Sequence, residues 1–75
     1  FISPNPSDGI LQVLSAKSDI LFIEIFDTKG QNIYNAQYNE PNVEIDLTKY
    51  PIGIYILKVI DSRNIVSTHK IILNK

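Results

Sequence analysis

Cysteine is absent from the chain, and His69 is its one histidine. A disulfide framework is thereby excluded, and so is a zinc site of the Cys/His type. Glycine is scarce. Gly9, Gly30 and Gly53 lie far apart, so no glycine-rich loop can cradle a phosphate. Charge of either sign is sparse as well. The formal net charge of −1 comes from scattered acids and bases, without the basic stripe of a nucleic-acid binder. The apolar runs are too short to insert into and span a bilayer as helices. The opening "FISPNP" has neither an initiator Met nor the pattern of a signal peptide. That opening suggests a single domain over residues 1–75, excised from a longer protein.

These absences set the energetic problem. A chain of 75 residues buries only about 60% of the surface its unfolded form exposes. Without disulfide or zinc, apolar burial at roughly 25 cal/mol per Å² must offset conformational entropy almost alone. The fold must rest on packing and on backbone ladders.

What is present fits that requirement. Apolar residues follow no helical period; they occur in short runs rich in Ile, Val, Tyr and Phe, which suit a pleated, half-buried surface. Turn residues recur at roughly ten-residue spacing, as in an all-β sandwich. In the opening segment Pro4 and Pro6 fix φ, and Pro6 keeps Asn5 out of the helical region, giving a stiff extended entry. Ser7, Asp8 and Gly9 supply a turn. "ILQVL" (Ile10 to Leu14) reads as a strand. "ILFIEIFD" follows, with Leu21, Ile23 and Ile25 on one face and Phe22, Glu24 and Phe26 on the other. Glu24 between two Phe residues marks the outer face and assigns Ile23 and Ile25 to the core. Asp27 to Gly30 ("DTKG") forms a hairpin turn, and "QNIYNAQY" returns as a weaker strand. After a loop "NEPN", "VEIDL" alternates cleanly, and "TKYPIG" is a corner. "IYILKVI" places Tyr55, Leu57 and Val59 on one face. "DSRN" turns the chain, and "IVSTHKIILNK" closes it. The expected fold is all-β, an immunoglobulin-like antiparallel sandwich of about seven short strands, with a small barrel as the alternative.

The corner has its own logic. Pro51 cannot donate to a ladder and ends the preceding strand. Gly53 permits a bend that a β-carbon resists. Tyr55 then points inward, where its ring can plug the sandwich end and its hydroxyl can find a carbonyl.

No constellation for catalysis emerges. His69 is the sole imidazole base, in a segment that reads as a surface strand, where a lone histidine is ordinarily solvated. Asp8, Asp27 and Asp61 all fall in turns, where Asx side chains bond nearby amides. No EF-hand spacing is present, and no cofactor is expected. Tyr34 and Tyr38 share a face, which suits cross-strand packing or, with Phe26, a carbohydrate platform. Lys70 and Lys75 read as solvated strand ends or as part of a partner-recognition surface.

Taken in order, "PNPSDG", "IEIFDTKGQNIY", "VEIDLTKYPIGIYILKV" and "HKIILNK" resemble the type A C-terminal sorting domain of the type IX (Por) secretion system of Bacteroidetes. The resemblance covers essentially the whole chain. Each motif is weak alone; the ordered set is specific. Carried over by position, the motif residues are Pro4, Asn5, Pro6 and Gly9, then Asp27 and Gly30. Asp46 and Leu47 follow, then Pro51, Gly53 and Tyr55, and finally Lys70. Ser3 and Tyr50 depart mildly from the family pattern, where an aromatic and a leucine are common. The resemblance implies a noncatalytic signal at the C-terminus of a secreted protein, behind an upstream cargo domain. It implies recognition by the outer-membrane translocon and, in most members, removal by a sortase-like peptidase. The cargo then passes through the periplasm to the cell surface or the medium. The domain is expected to be a monomer. The alternative function is a fibronectin III-like accessory domain that binds carbohydrate or a neighbouring domain.

Overall fold

The computed structural model describes residues 2–3, 9–15 and 17–74. Among them are seven strands: β1 (Ile2–Ser3), β2 (Ile10–Leu14), β3 (Ile20–Phe26), β4 (Asn32–Glu40), β5 (Asn42–Asp46), β6 (Gly53–Asp61) and β7 (Val66–Leu73). They form two antiparallel sheets packed face to face. The smaller has the order β1-β2-β5 and the larger β4-β3-β6-β7. This is the immunoglobulin-like sandwich expected from the sequence. The fourth strand joins the larger sheet, whereas in constant-type immunoglobulin domains it lies in the other one.

The alternating residues decide which face is buried. Leu11 and Val13 of β2 pack with Val43 and Ile45 of β5. Ile23 and Ile25 of β3, Tyr55, Leu57 and Val59 of β6, and Ile71 and Leu73 of β7 meet them from the opposite sheet. The expected inward faces of β3, β5 and β6 are thus realised at Ile23 and Ile25, at Val43 and Ile45, and from Tyr55 to Val59. One residue departs from the alternation. Leu21 is exposed, while Ile20 is fully buried. The registers of β3 with both β4 and β6 shift between Ile20 and Phe22. A bulge adds one residue there and reverses the alternation.

One strand boundary also moved. The expected loop over Asn39 to Asn42 is nearly absent, because β4 runs to Glu40 and β5 begins at Asn42. Pro41, alone between them, accepts a hydrogen bond from Ser15 N through its carbonyl at 2.8 Å. At the N-terminus β1 pairs antiparallel with β2, Ile2 opposite Val13. The stiff entry through Pro4, Asn5 and Pro6, and the Asp8 turn, lie outside the described residues.

Candidate functional site

The described motif residues gather at one end of the sandwich. The hairpin between β3 and β4 is built by Asp27, whose Oδ1 accepts from Lys29 N and Gln31 N, both at 2.9 Å. Gly30 N donates to Asp27 O at 3.0 Å and closes the turn. Phe26, just before it, lies opposite Ile56 of β6, and Ile56 lies opposite Lys70 of β7. Lys70 is therefore in the same sheet, close to this end and exposed.

Asp46 performs a similar service where β5 ends. Its Oδ1 accepts from Thr48 N at 2.9 Å and from Thr48 Oγ1 at 2.6 Å, so the chain turns as soon as it leaves the ladder. Leu47 is fully buried, and its N–H donates to Gly9 O at 2.6 Å. Gly9 is needed for two reasons. Its φ is +131°, and a β-carbon would lie 2.7 Å from Thr48 Cγ2 and 3.2 Å from Thr48 Cα. The first and third motifs thus lock together through backbone contact.

The corner that follows carries the fourth motif. Tyr55 turns its ring into the core, with 6% of its surface exposed. Its hydroxyl donates to Pro51 O at 2.6 Å, four residues upstream. This is the role expected of it, and it is related to the tyrosine corner of other sandwiches. Burial pushes the Tyr55 pKa up, so the group remains a donor through neutral pH. Gly53 adopts φ +154° as the chain enters β6. Tyr50, in place of the family's leucine, half-buries its ring and donates from its hydroxyl to Ile33 O at 3.1 Å.

The carbohydrate platform does not assemble. Tyr34 lies opposite the buried Ile25, so it faces the core, whereas Phe26 points to the other face of β3. Tyr34 and Tyr38 pack against the core and hydrogen-bond to each other through their hydroxyls. Burial and this bond raise the Tyr38 pKa well above the ordinary tyrosine value. The outer face of the larger sheet instead carries a Lys58–Glu24 pair at 3.6 Å, flanked by Phe22 and Phe26.

The opposite end holds what the sequence did not announce. Asp61 is a turn residue, as expected: its Oδ1 accepts from Arg63 N at 2.9 Å and Ile65 N at 3.0 Å. It is also buried, 7% exposed. Its Oδ2 accepts from Arg63 Nη2 at 2.7 Å, Arg63 Nε at 3.1 Å and Ser18 Oγ at 3.0 Å. The Arg63 guanidinium leads in holding the carboxyl down to about pKa 2, with the backbone N–H groups and Ser18 adding. Ser62 N donates to Asp19 O at 2.9 Å, a second tie between the same two loops. "DSRN" signalled the local turn, but no signal in one sequence could reveal Ser18, 43 residues away.

Beside this cluster lies a half-open cleft of about 330 Å³, lined from both sheets. Ile2 and Val13 approach from the smaller sheet, and Val59, Ser67 and His69 from the larger one. His69 is therefore half-buried at a cleft, and not simply solvated as its sequence context suggested. Burial lowers its pKa, because charging the imidazole there costs solvation.

Two antiparallel sheets whose end is closed by Asx turns and a tyrosine corner define a small β-sandwich module. The family model for the secretion system C-terminal sorting domain matches residues 2–74. The chain belongs to that family, whose members direct type IX secretion to the cell surface or the extracellular space. No curated protein matches the chain.

Proposed function

We propose that residues 1–75 are the single sorting domain at the end of a longer secreted protein, and that the type IX outer-membrane translocon reads it through strand β7. The observation that carries this reading is the place of β7. Among the described residues its ladder partner is β6, and it stands last in the order of the larger sheet. The last strand in a sheet's order is where a receptor can add a strand of its own. In this reading the domain is a monomer, its cargo domain lies upstream, and a sortase-like peptidase then separates the two.

The test is export of a periplasmic fluorescent protein fused to this chain in a Bacteroidetes host. The fusion reaches the surface or medium, and a version lacking residues 51–75 stays in the periplasm. A version lacking only residues 70–75 also stays. Export that survives the shorter deletion removes β7 as the element read. Export that survives both removes the sorting role of this chain.

A further inference from the structure

The larger sheet has a second margin, at the opposite end of its order from β7. There stands β4, Asn32–Glu40, whose ladder partner among the described residues is β3. Backbone N–H and C=O groups alternate in direction along an antiparallel strand, so half of those in β4 turn away from β3. Tyr50 closes the start of the strand by donating to Ile33 O at 3.1 Å. Along residues 34–39 no described residue supplies a backbone group outside the β3 ladder with a partner. Edge strands are commonly blunted by lysine, proline or an inward charge. From Gln31 to Asn39 the sequence has none of these.

The side chains of this span fall into two rows. Tyr34 and Ala36 lie opposite the buried Ile25 and Ile23, so they face the core side, where Tyr38 also packs. Asn35 and Gln37 lie opposite Glu24 and Phe22 on the outer face, and both are exposed. Four residues of strand span about 13 Å, yet the hydroxyls of Tyr34 and Tyr38 are hydrogen-bonded. The two rings therefore lean toward each other past Ala36, and the small side chain leaves a notch between them. All three residues are half-buried, so part of each still meets solvent. A strand added along β4 would set alternate side chains beside this notch and the others beside Asn35 and Gln37. The notch selects an apolar side chain, and β-branched residues pair well beside aromatic ones. The outer row offers amides and no charge. A second copy of β4 is the poorer occupant: antiparallel about its own midpoint, it sets Ala36 against Ala36 and leaves the notch unfilled.

We propose that β4 is a strand-accepting edge for an extended, uncharged segment of a partner protein, with a β-branched apolar residue beside Ala36 and hydroxyl or amide side chains beside Asn35 and Gln37. Backbone hydrogen bonds supply the affinity, and the notch sets the register. The proposal goes beyond the β7 reading and does not depend on it.

The probe is an acetylated, amidated heptapeptide with Val at its second, fourth and sixth positions and Ser or Thr at the others. It is titrated into the 75-residue chain and followed by residue-resolved NMR. Shifts are expected on residues 34–39, and amide exchange should slow at alternate residues there, as a new ladder requires. Affinity should stay within about twofold as salt is raised, because no charge pair is involved. Replacing the central Val of the peptide by Ala should weaken binding by about threefold or more. Ala36→Val fills the notch from the other side and should weaken it by a similar factor; if that variant does not fold, the Ala peptide carries the same test. Absence of binding, shifts away from β4, or shifts without slowed exchange each overturn the proposal. So does binding about tenfold tighter when the Ser and Thr positions carry Lys or Glu, which would mean an edge selected by charge. Self-association of the chain in sedimentation, lost on addition of the peptide, also overturns it, because the occupant is then a second copy.

Discussion

One end of the sandwich is closed by backbone geometry and the other by charge. At the hairpin and corner end, Asp27 and Asp46 cap neighbouring amides, Gly9 lets two chains touch, and Tyr55 reaches a carbonyl four residues away. Every one of those bonds except the Gly9 contact is local in sequence. At the far end, Asp61 joins Arg63 to Ser18 and so ties two loops that are remote in the chain. The difference teaches how a domain without cysteine closes itself. Local Asx and tyrosine contacts close the β3–β4 hairpin and the corner between the sheets, and a buried, fully paired carboxylate serves where a turn must also hold a separate loop.

The comparison can be broken at graded cost. Leu47→Ala, at the fully buried position beside the corner, should destabilise the domain by about 2–5 kcal/mol in urea unfolding. A value under about 1 kcal/mol would mean that the corner is not packed as described. Gly9→Ala combines an unfavourable φ with the Thr48 contact and is expected to cost on the order of 1–3 kcal/mol. Tolerance of alanine there would contradict the close approach. Asp61 comes next. Its folded pKa lies below the unfolded value, so its contribution is complete above about pH 4. It is lost as pH falls through about 2. Melting curves from pH 5 to pH 2 should show this acid-side loss, and Asp61→Asn should melt lower at pH 5 and flatten the slope. Tyr55→Phe removes one neutral hydrogen bond to an exposed carbonyl and should cost about 0.5–1.5 kcal/mol.

The smallest effect concerns His69. Its folded pKa is depressed by burial, so the unfolded chain takes up the proton first as pH falls. Stability is complete above the ordinary histidine value of about 6.5 and declines below it. A shallow decline in melting temperature from pH 7 to pH 5 is expected, and His69→Gln should remove it. A decline unchanged by that substitution would place the titrating group elsewhere.

Much of this was legible in the residues themselves. The faces of β5 and β6 follow from strict alternation, and the Asp27 and Asp61 turns follow from Asx chemistry. The bulge that buries Ile20 and exposes Leu21 was not legible, because the run of four apolar residues from Ile20 to Ile23 fits either register. Nor was the inward turn of Tyr34 away from Phe26, since β4 carries few apolar residues to mark its face. The cleft was invisible for a stronger reason: its walls come from both sheets and from strands at opposite ends of the sequence.

By itself the sequence determined the fold class, the order of turns and the family, since each rests on residues adjacent or alternating along the chain. Only the tertiary structure decided which strands became edges and that Asp61 would be buried between loops. It alone also placed the sole histidine beside an apolar hollow. Those outcomes depend on how two sheets stack, and stacking is set by contacts between residues that the linear order keeps far apart.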